Sequence, residues 1–177
     1  MRRVVKVVQC KYEQHGVAIL DILNDAIVNS TALYDYQPRT LDAMDKWFTA
    51  KNSQKFPVIG IEDETGALLG FASYGVFRAW PAYKYSVEHS IYVQREHRGR
   101  GIGRLLLGQL IEVATEQDYH LMVGGIDIDN HASIVLHEKL GFVHSGTIKQ
   151  AGFKFGRWLD LAFYQLILKT PLHPQDG

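Results

Sequence analysis

Apolar positions along the chain change period several times, and each change predicts an element. Val4 to Cys10 is a short β-branched run and predicts a strand. Val17, Leu20, Leu23 and Ile27 then recur at helical spacing, predicting an amphipathic helix that ends near Asn29-Ser30. Leu41, Met44, Trp47 and Phe48 repeat that spacing behind Thr40, which has the side chain of an N-cap. Pro57 to Ile61 and Ala67 to Val76 flank the turn signal Asp63-Glu64-Thr65-Gly66 and predict a hairpin. Ser86 to Val93 alternates as a strand does, with Val87, His89, Ile91 and Val93 on one face. Gly103 to Glu116 is a strong helical segment with Leu106, Leu110 and Val113 on one stripe. A strand over His120–Ile126, a short helix over Ala132–Leu140, and strands over Phe142–Ile148 and Leu159–Leu168 complete the chain. The order β-α-α-β-β-β-α-β-α-β-β combines an early hairpin with late strand–helix–strand units. It implies an α/β fold: a mixed sheet of about six to seven strands flanked by helices.

Composition narrows the class. Of 177 residues 46% are hydrophobic and 21% charged, the balance of a globular protein with a usable core. Nineteen Lys and Arg balance nineteen Asp and Glu, which argues against a general nucleic-acid surface and against a disordered acidic chain. The lone Cys10 has no partner for an internal disulfide, excludes a Cys-rich metal site and reads as a core residue of the first strand. Met1-Arg2-Arg3 is not followed by a signal-length apolar stretch, and no run approaches the ~18–20 residues of a membrane helix. The expectation is a cytoplasmic chain with one domain over residues 1–170 and a tail over 171–177, with no repeat or linker.

The informative segment is Arg98-Gly99-Arg100-Gly101-Ile102-Gly103-Arg104, between a predicted strand and a strong helix. Alternate glycines let backbone amides turn inward, and the helix N-terminus directs free N–H groups and a positive dipole end to the same spot. Three arginines add cations, so the assembly suits a pyrophosphate; the plain alternative is a glycine-rich turn with solvated arginines. It is not a Walker A loop, since no Lys-Ser/Thr follows, and it reads G-x-G-x-G rather than the dinucleotide G-x-G-x-x-G.

Arg98-x-x-Gly101-x-Gly103 after a strand resembles the acetyl-CoA motif Q/R-x-x-G-x-G/A of the GNAT acetyltransferase superfamily. Asn130-His131-Ala132-Ser133 followed by Leu136-His137-Glu138-Lys139-Leu140-Gly141-Phe142 is similar to the family's N-x-x-A/S…L-Y-x-x-L-G-F segment. Asn29 to Ala32, Tyr74-Gly75, Val87 to Val93 and Lys154-Phe155-Gly156-Arg157-Trp158-Leu159-Asp160 resemble the phosphinothricin and methionine sulfoximine N-acetyltransferase subgroup. The resemblance covers nearly the whole chain. It implies an acetyl-CoA-dependent enzyme, a homodimer, that acetylates the α-amino group of small amino-acid analogues.

The resemblance also assigns residues. Backbone groups of Ile91, Tyr92 and Val93 would lie beside the pantetheine arm. Arg98, Gly99, Arg100, Gly101, Ile102, Gly103 and Arg104 would wrap the pyrophosphate. Asn130 would bond the pantetheine, although its position equally suits an N-cap. Substrate contacts fall at Arg78, Ala79 and Trp80 and at Glu88, His89 and Ser90, with Tyr83 shaping the pocket. Glu88 is the candidate base for the protonated amine, because a mid-strand carboxylate fits poorly unless it faces a cleft; otherwise it is a solvent-facing strand residue. Arg78 can clamp a substrate carboxylate, or be an ordinary surface arginine. His137 stands where many family members have tyrosine, and is either the general acid for the leaving thiolate or a packed helix residue. No histidine shows metal-ligand spacing, so no metal is expected. The rivals are a GNAT enzyme for another amine (polyamine, aminoglycoside or protein N-terminus) and a non-catalytic acetyl-CoA-binding sensor.

Overall fold

A computed structural model describes residues 5–176. Val4, the expected start of the first strand, lies outside the described residues. The elements run β1 Lys6–Gln9, α1 Tyr12–Asn29, α2 Leu41–Ser53, β2 Val58–Glu62, β3 Leu68–Val76, β4 Ser86–Val93, α3 Ile102–Glu116, β5 Leu121–Asp127, α4 His131–Lys139, β6 Val143–Lys154 and β7 Arg157–Ile167. The mixed α/β architecture is as expected: seven strands in the order β1-β2-β3-β4-β5-β7-β6. β4 and β5 pair in parallel, whereas β1–β2, β2–β3, β5–β7 and β6–β7 are antiparallel. The chain forms two compact units, one of Met1–Tyr74 with Ser90–Leu110, the other of Gly75–His89 with Ile111–Gly177. Both are discontinuous and the division falls inside β3, β4 and α3, which is why no linker marks it in the sequence.

In the first unit α1 and α2 bury Ile19, Ile22, Leu23, Met44 and Phe48 with Val58, Leu68 and Phe71 of the strands. Trp47 meets Phe48 and Phe71 edge-on at 5.0 and 6.2 Å, a geometry that adds about 1 kcal/mol per pair beyond area burial. Thr40 caps α2 as expected: its side chain accepts from the Ala43 N–H, worth about 1 kcal/mol. α1 has no side-chain cap of that kind. Instead the Lys11 N–H donates to His15 Nδ1 (2.9 Å), which leaves His15 Nε2–H to donate to the buried Glu62 (2.9 Å).

In the second unit β6 runs six residues past its expected end at Ile148. The register shifts between Ile148 and Gly152, where Gln150 takes φ 54° and its N–H donates to Asp160 Oδ1 at 2.8 Å. A bulge satisfied by a carboxylate lets the strand continue through residues that read as a loop. The two-residue turn Phe155-Gly156, both at positive φ, then closes the β6–β7 hairpin. Among the described residues after Leu168 there is no regular structure, yet the segment is tied down. Thr170 Oγ1 donates to the Tyr119 carbonyl (2.6 Å), and the Gln175 N–H donates to Tyr85 Oη (3.1 Å).

Candidate functional site

The loop after β4 has the geometry its glycines predict. Gly99 and Gly101 adopt φ of 73° and 83°, the left-handed region that side chains disfavour, and a Cβ at either would meet nothing within 4 Å. These two glycines are therefore required by backbone shape, and their open side faces no protein atom. Leu105 N–H bonds the Gly101 carbonyl at 3.1 Å, so α3 starts at Ile102 and its first N–H groups have no partner within the helix. Arg100 and Arg104 are exposed. Arg98 is more committed: its Nε–H donates to the Val93 carbonyl (3.1 Å) and a terminal nitrogen lies 3.9 Å from Asp25. A backbone cradle, a helix N-terminus and exposed arginines fit the anionic pyrophosphate of a CoA thioester. Ser90 to Val93, half-buried, lead into this loop.

The other half of β4 belongs to the second unit. Its parallel ladder with β5 covers Ser86↔Leu121, Val87↔Met122 and Glu88↔Val123. Val87 and His89 point to the buried face as the alternation predicts, and Glu88 is half-buried on the opposite one. A Cβ on Gly125 would come within 3.3 Å of Glu88 Oε1 and of Leu161 Cδ1, so the carboxylate lies over bare, exposed backbone flanked by Leu161. Burial raises the Glu88 pKa, and the charge of Arg78 partly opposes that. Such a carboxylate is a better proton acceptor near neutrality than an ordinary one. Arg78 is exposed, with its guanidinium 5.5 Å from the Phe77 ring centre, and Phe77 meets Tyr83 edge-on at 5.8 Å. Ala79, Trp80 and Tyr83 are exposed on the same loop.

His89, expected among the substrate contacts, instead lies on the buried face of β4, away from Glu88, and its Nε2 is 3.0 Å from that of the buried His137. The rings lie nearly parallel, and Phe142 meets both edge-on. Gly124 makes the arrangement possible, because a Cβ there would be 2.8 Å from His89 Nε2 and 3.2 Å from His137 Nε2. His137 Nδ1 is 2.6 Å from the Ser133 carbonyl oxygen, which can only accept, so the proton of His137 sits on Nδ1. Burial holds both rings neutral, pushing His89 down to about 3 with help from His137 and lowering His137 against the pull of that carbonyl. His137 Nε2 is then an acceptor, and His89 Nε2–H donates to it. His89 Nδ1 is left buried with no hydrogen-bond partner.

Asn130 caps α4: its Oδ1 accepts from the Ser133 N–H at 3.2 Å. With the oxygen engaged, its Nδ2–H groups are what it offers a carbonyl. The turn that carries it is braced, since Arg157 reaches Asp129 (3.0 Å) and the buried Asp127 (3.5 Å). Among residues without an assigned role beforehand, Gly124, Gly125, Ser133 and Arg157 all shape this region. A glycine doublet inside a strand was the signal available for the first two, because it marks close approach of other groups to the backbone. Among the described residues no group of three or more His, Cys, Asp or Glu side chains could hold a metal ion, and no helix is long and apolar enough to cross a membrane.

Comparison with known proteins shows the family. The Acetyltransferase (GNAT) family profile matches residues 18–142. An L-methionine sulfoximine/L-methionine sulfone acetyltransferase of Pseudomonas paraeruginosa is 47% identical over 150 residues, 85% of this chain and 87% of that protein. A solved structure from Acinetobacter baylyi superposes with a TM-score of 0.97 at 60% identity, over 99% of this chain and 98% of that one. A GNAT phosphinothricin acetyltransferase from Sinorhizobium meliloti, solved with acetyl-CoA, does so at 0.91 and 33% identity, over 96% and 92%. The chain is an enzyme of the GNAT acetyltransferase family.

Proposed function

We propose that this enzyme acetylates the α-amino group of a small amino acid of the methionine sulfoximine, methionine sulfone or phosphinothricin kind. The observation that carries the reading is Glu88, a half-buried carboxylate with a raised pKa over exposed backbone and within the field of Arg78. The names of the relatives support the acceptor class. Acetyl-CoA supplies the activated thioester. The Gly99–Gly101 cradle, the N–H groups of α3, and Arg98, Arg100 and Arg104 would hold its pyrophosphate. Backbone of Ile91 to Val93 and the Nδ2 of Asn130 would hold the pantetheine.

Arg78 takes the substrate carboxylate, with Ala79, Trp80, Tyr83 and Ser90 around it. An α-ammonium group is mostly protonated at neutral pH, so Glu88 accepts a proton, directly or through water, to free the nucleophilic lone pair. The amine then attacks the thioester carbonyl in the ternary complex; the N–C bond forms and the C–S bond breaks. As the amide forms, the nitrogen sheds its second proton to water, and a thiol pKa near 8.5 lets the sulfur leave as thiolate and take its proton from water. That removes the demand for a dedicated acid, and His137, with both nitrogens bonded inside the protein, serves as a structural residue of α4. The buried, unpaired Cys10 suits a cytoplasmic setting, and exposed Phe153, Phe155 and Trp158 on the β6–β7 hairpin suit a homodimer contact.

The test is Glu88→Gln. We expect kcat to fall by about 100-fold or more, in the range for loss of a general base, with acetyl-CoA affinity retained. Full turnover at neutral pH in that variant removes Glu88 as the base. An acceptor panel read by free thiol release, spanning methionine sulfoximine, methionine sulfone, phosphinothricin, polyamines and an aminoglycoside, decides the substrate class.

A further inference from the structure

His89 is a buried polar group that the proposed mechanism leaves unused, and it has a side-chain nitrogen with no hydrogen-bond partner. Its ring costs the fold something. One acceptor, Nδ1, is buried without a donor, a costly situation because its lone pair gives up the bond it would make to water. A leucine or phenylalanine in that space would carry no such penalty. The pair also requires glycine at position 124. The other ring nitrogen shows what the histidine does, because it donates to His137 Nε2 at 3.0 Å. From there the contacts run along α4. His137 Nδ1–H donates to the Ser133 carbonyl (2.6 Å), and the Ser133 N–H donates to Asn130 Oδ1 (3.2 Å). This chain joins the strand residue after Glu88 to the residue that caps α4.

We propose that His89 is a positioning residue: through His137 and Ser133 it fixes the first turn of α4, and with it the Asn130 Nδ2 donors that meet the pantetheine. The proposal rests on the reading of Asn130 as a cofactor contact. Its logic is directional. Only the His137 tautomer with hydrogen on Nδ1 can bond the Ser133 carbonyl, and a donor at residue 89 adds to that preference by occupying the Nε2 lone pair. Phe142, edge-on to both rings, keeps them from turning away. Glu88, on the other face of β4, is outside the chain of contacts, so the chemical step is separate from this device.

The first measurement needs no activity. Ring-nitrogen NMR of the full-length enzyme, labelled at imidazole nitrogen, should show His137 protonated on Nδ1 and His89 on Nε2. A proton on His137 Nε2 overturns the proposal. The second measurement is acetyl-CoA binding by calorimetry without acceptor. His89→Leu should weaken it by about tenfold, and His89→Gln, whose amide supplies an N–H near the imidazole Nε2, should recover it to within about threefold. The KM for acetyl-CoA should rise with kcat at saturation and the acid limb of the pH profile unchanged. In an Asn130→Ala background, His89→Leu should add little more. Unchanged affinity in a folded His89→Leu enzyme, or full additivity with Asn130→Ala, overturns the positioning role. If Asn130→Ala alone leaves affinity intact, the Asn130 contact itself is wrong and the proposal falls with it. Should His89→Leu not fold, the Gln variant and the tautomer spectra still decide.

Discussion

Each unit of the molecule buries a histidine in a hydrogen-bonded network, and the two networks differ in one atom. In the first unit His15 uses both nitrogens, accepting from the Lys11 N–H and donating to Glu62. It stitches the uncapped start of α1 to the end of β2. In the second unit His89 uses one nitrogen on His137 and leaves the other buried without a partner. The first arrangement is complete and explains itself as structure. The second is incomplete, beside Glu88 in sequence, on a strand whose continuation leads to the glycine loop. A buried polar group whose every atom is satisfied contributes to the fold, and one left short invites a functional explanation.

If that contrast is right, damage to the two networks reads out differently. The largest stability effect belongs to His15. His15→Ala strands the buried Glu62 carboxylate and should lower unfolding free energy by about 3 kcal/mol, while the folded fraction keeps normal kcat/KM. Denaturant unfolding with parallel kinetics checks it; a kinetic defect in fully folded protein breaks the comparison. Gly124→Ala should cost about 2 kcal/mol, because its Cβ would be 2.8 Å from His89 Nε2 and the core must shift. It should also weaken acetyl-CoA binding, which His15→Ala should leave alone.

The next effect concerns pH. His89 is held below its unfolded value of 6.5, down to about 3, so the unfolded chain binds the extra proton between those values. That contribution is fully present above pH 6.5 and is lost as pH falls toward 3. Unfolding free energy should drop with acidification by up to about 1.4 kcal/mol per pH unit more in the wild type than in His89→Gln. Equal slopes in urea titrations across that range contradict a neutral buried pair. The smallest effect lies outside both networks. Arg78 lowers the Glu88 pKa against the upward push of burial, so Arg78→Ala should move the acid limb of kcat/KM to higher pH and raise KM for the amino-acid acceptor. A limb that stays put removes the coupling.

Much of this fold was legible because local signals agreed with tertiary demand. Thr40 had the right side chain before an apolar periodic run, and it caps α2. Ser86 to Val93 alternated, and β4 has those bounds. β6 was misjudged for a physical reason: Gln150-Ala151-Gly152 has no strand signal of its own, and the Asp160 carboxylate that satisfies the bulge is ten residues away. The loop of Gly99 and Gly101 was readable because positive φ leaves a mark in composition. The histidine pair was not. His89 could be assigned to the buried face by alternation, but its partner comes from position 137, and pairings between distant residues leave no periodicity. Whether His137 is an acid or a packed residue is not legible in the sequence, because the choice depends on which atoms face its two nitrogens.

The anchored end of the chain has a practical consequence. Gln175 is held by the hydroxyl of Tyr85, the residue immediately before β4 and two beyond Tyr83. A surface linker grafted at Gln175 pulls on the segment between Arg78 and Glu88. For immobilisation or biosensor work the point of attachment should be an exposed helix face of the first unit, such as Asp42 or Lys46 on α2, which leaves the Tyr85–Gln175 contact untouched.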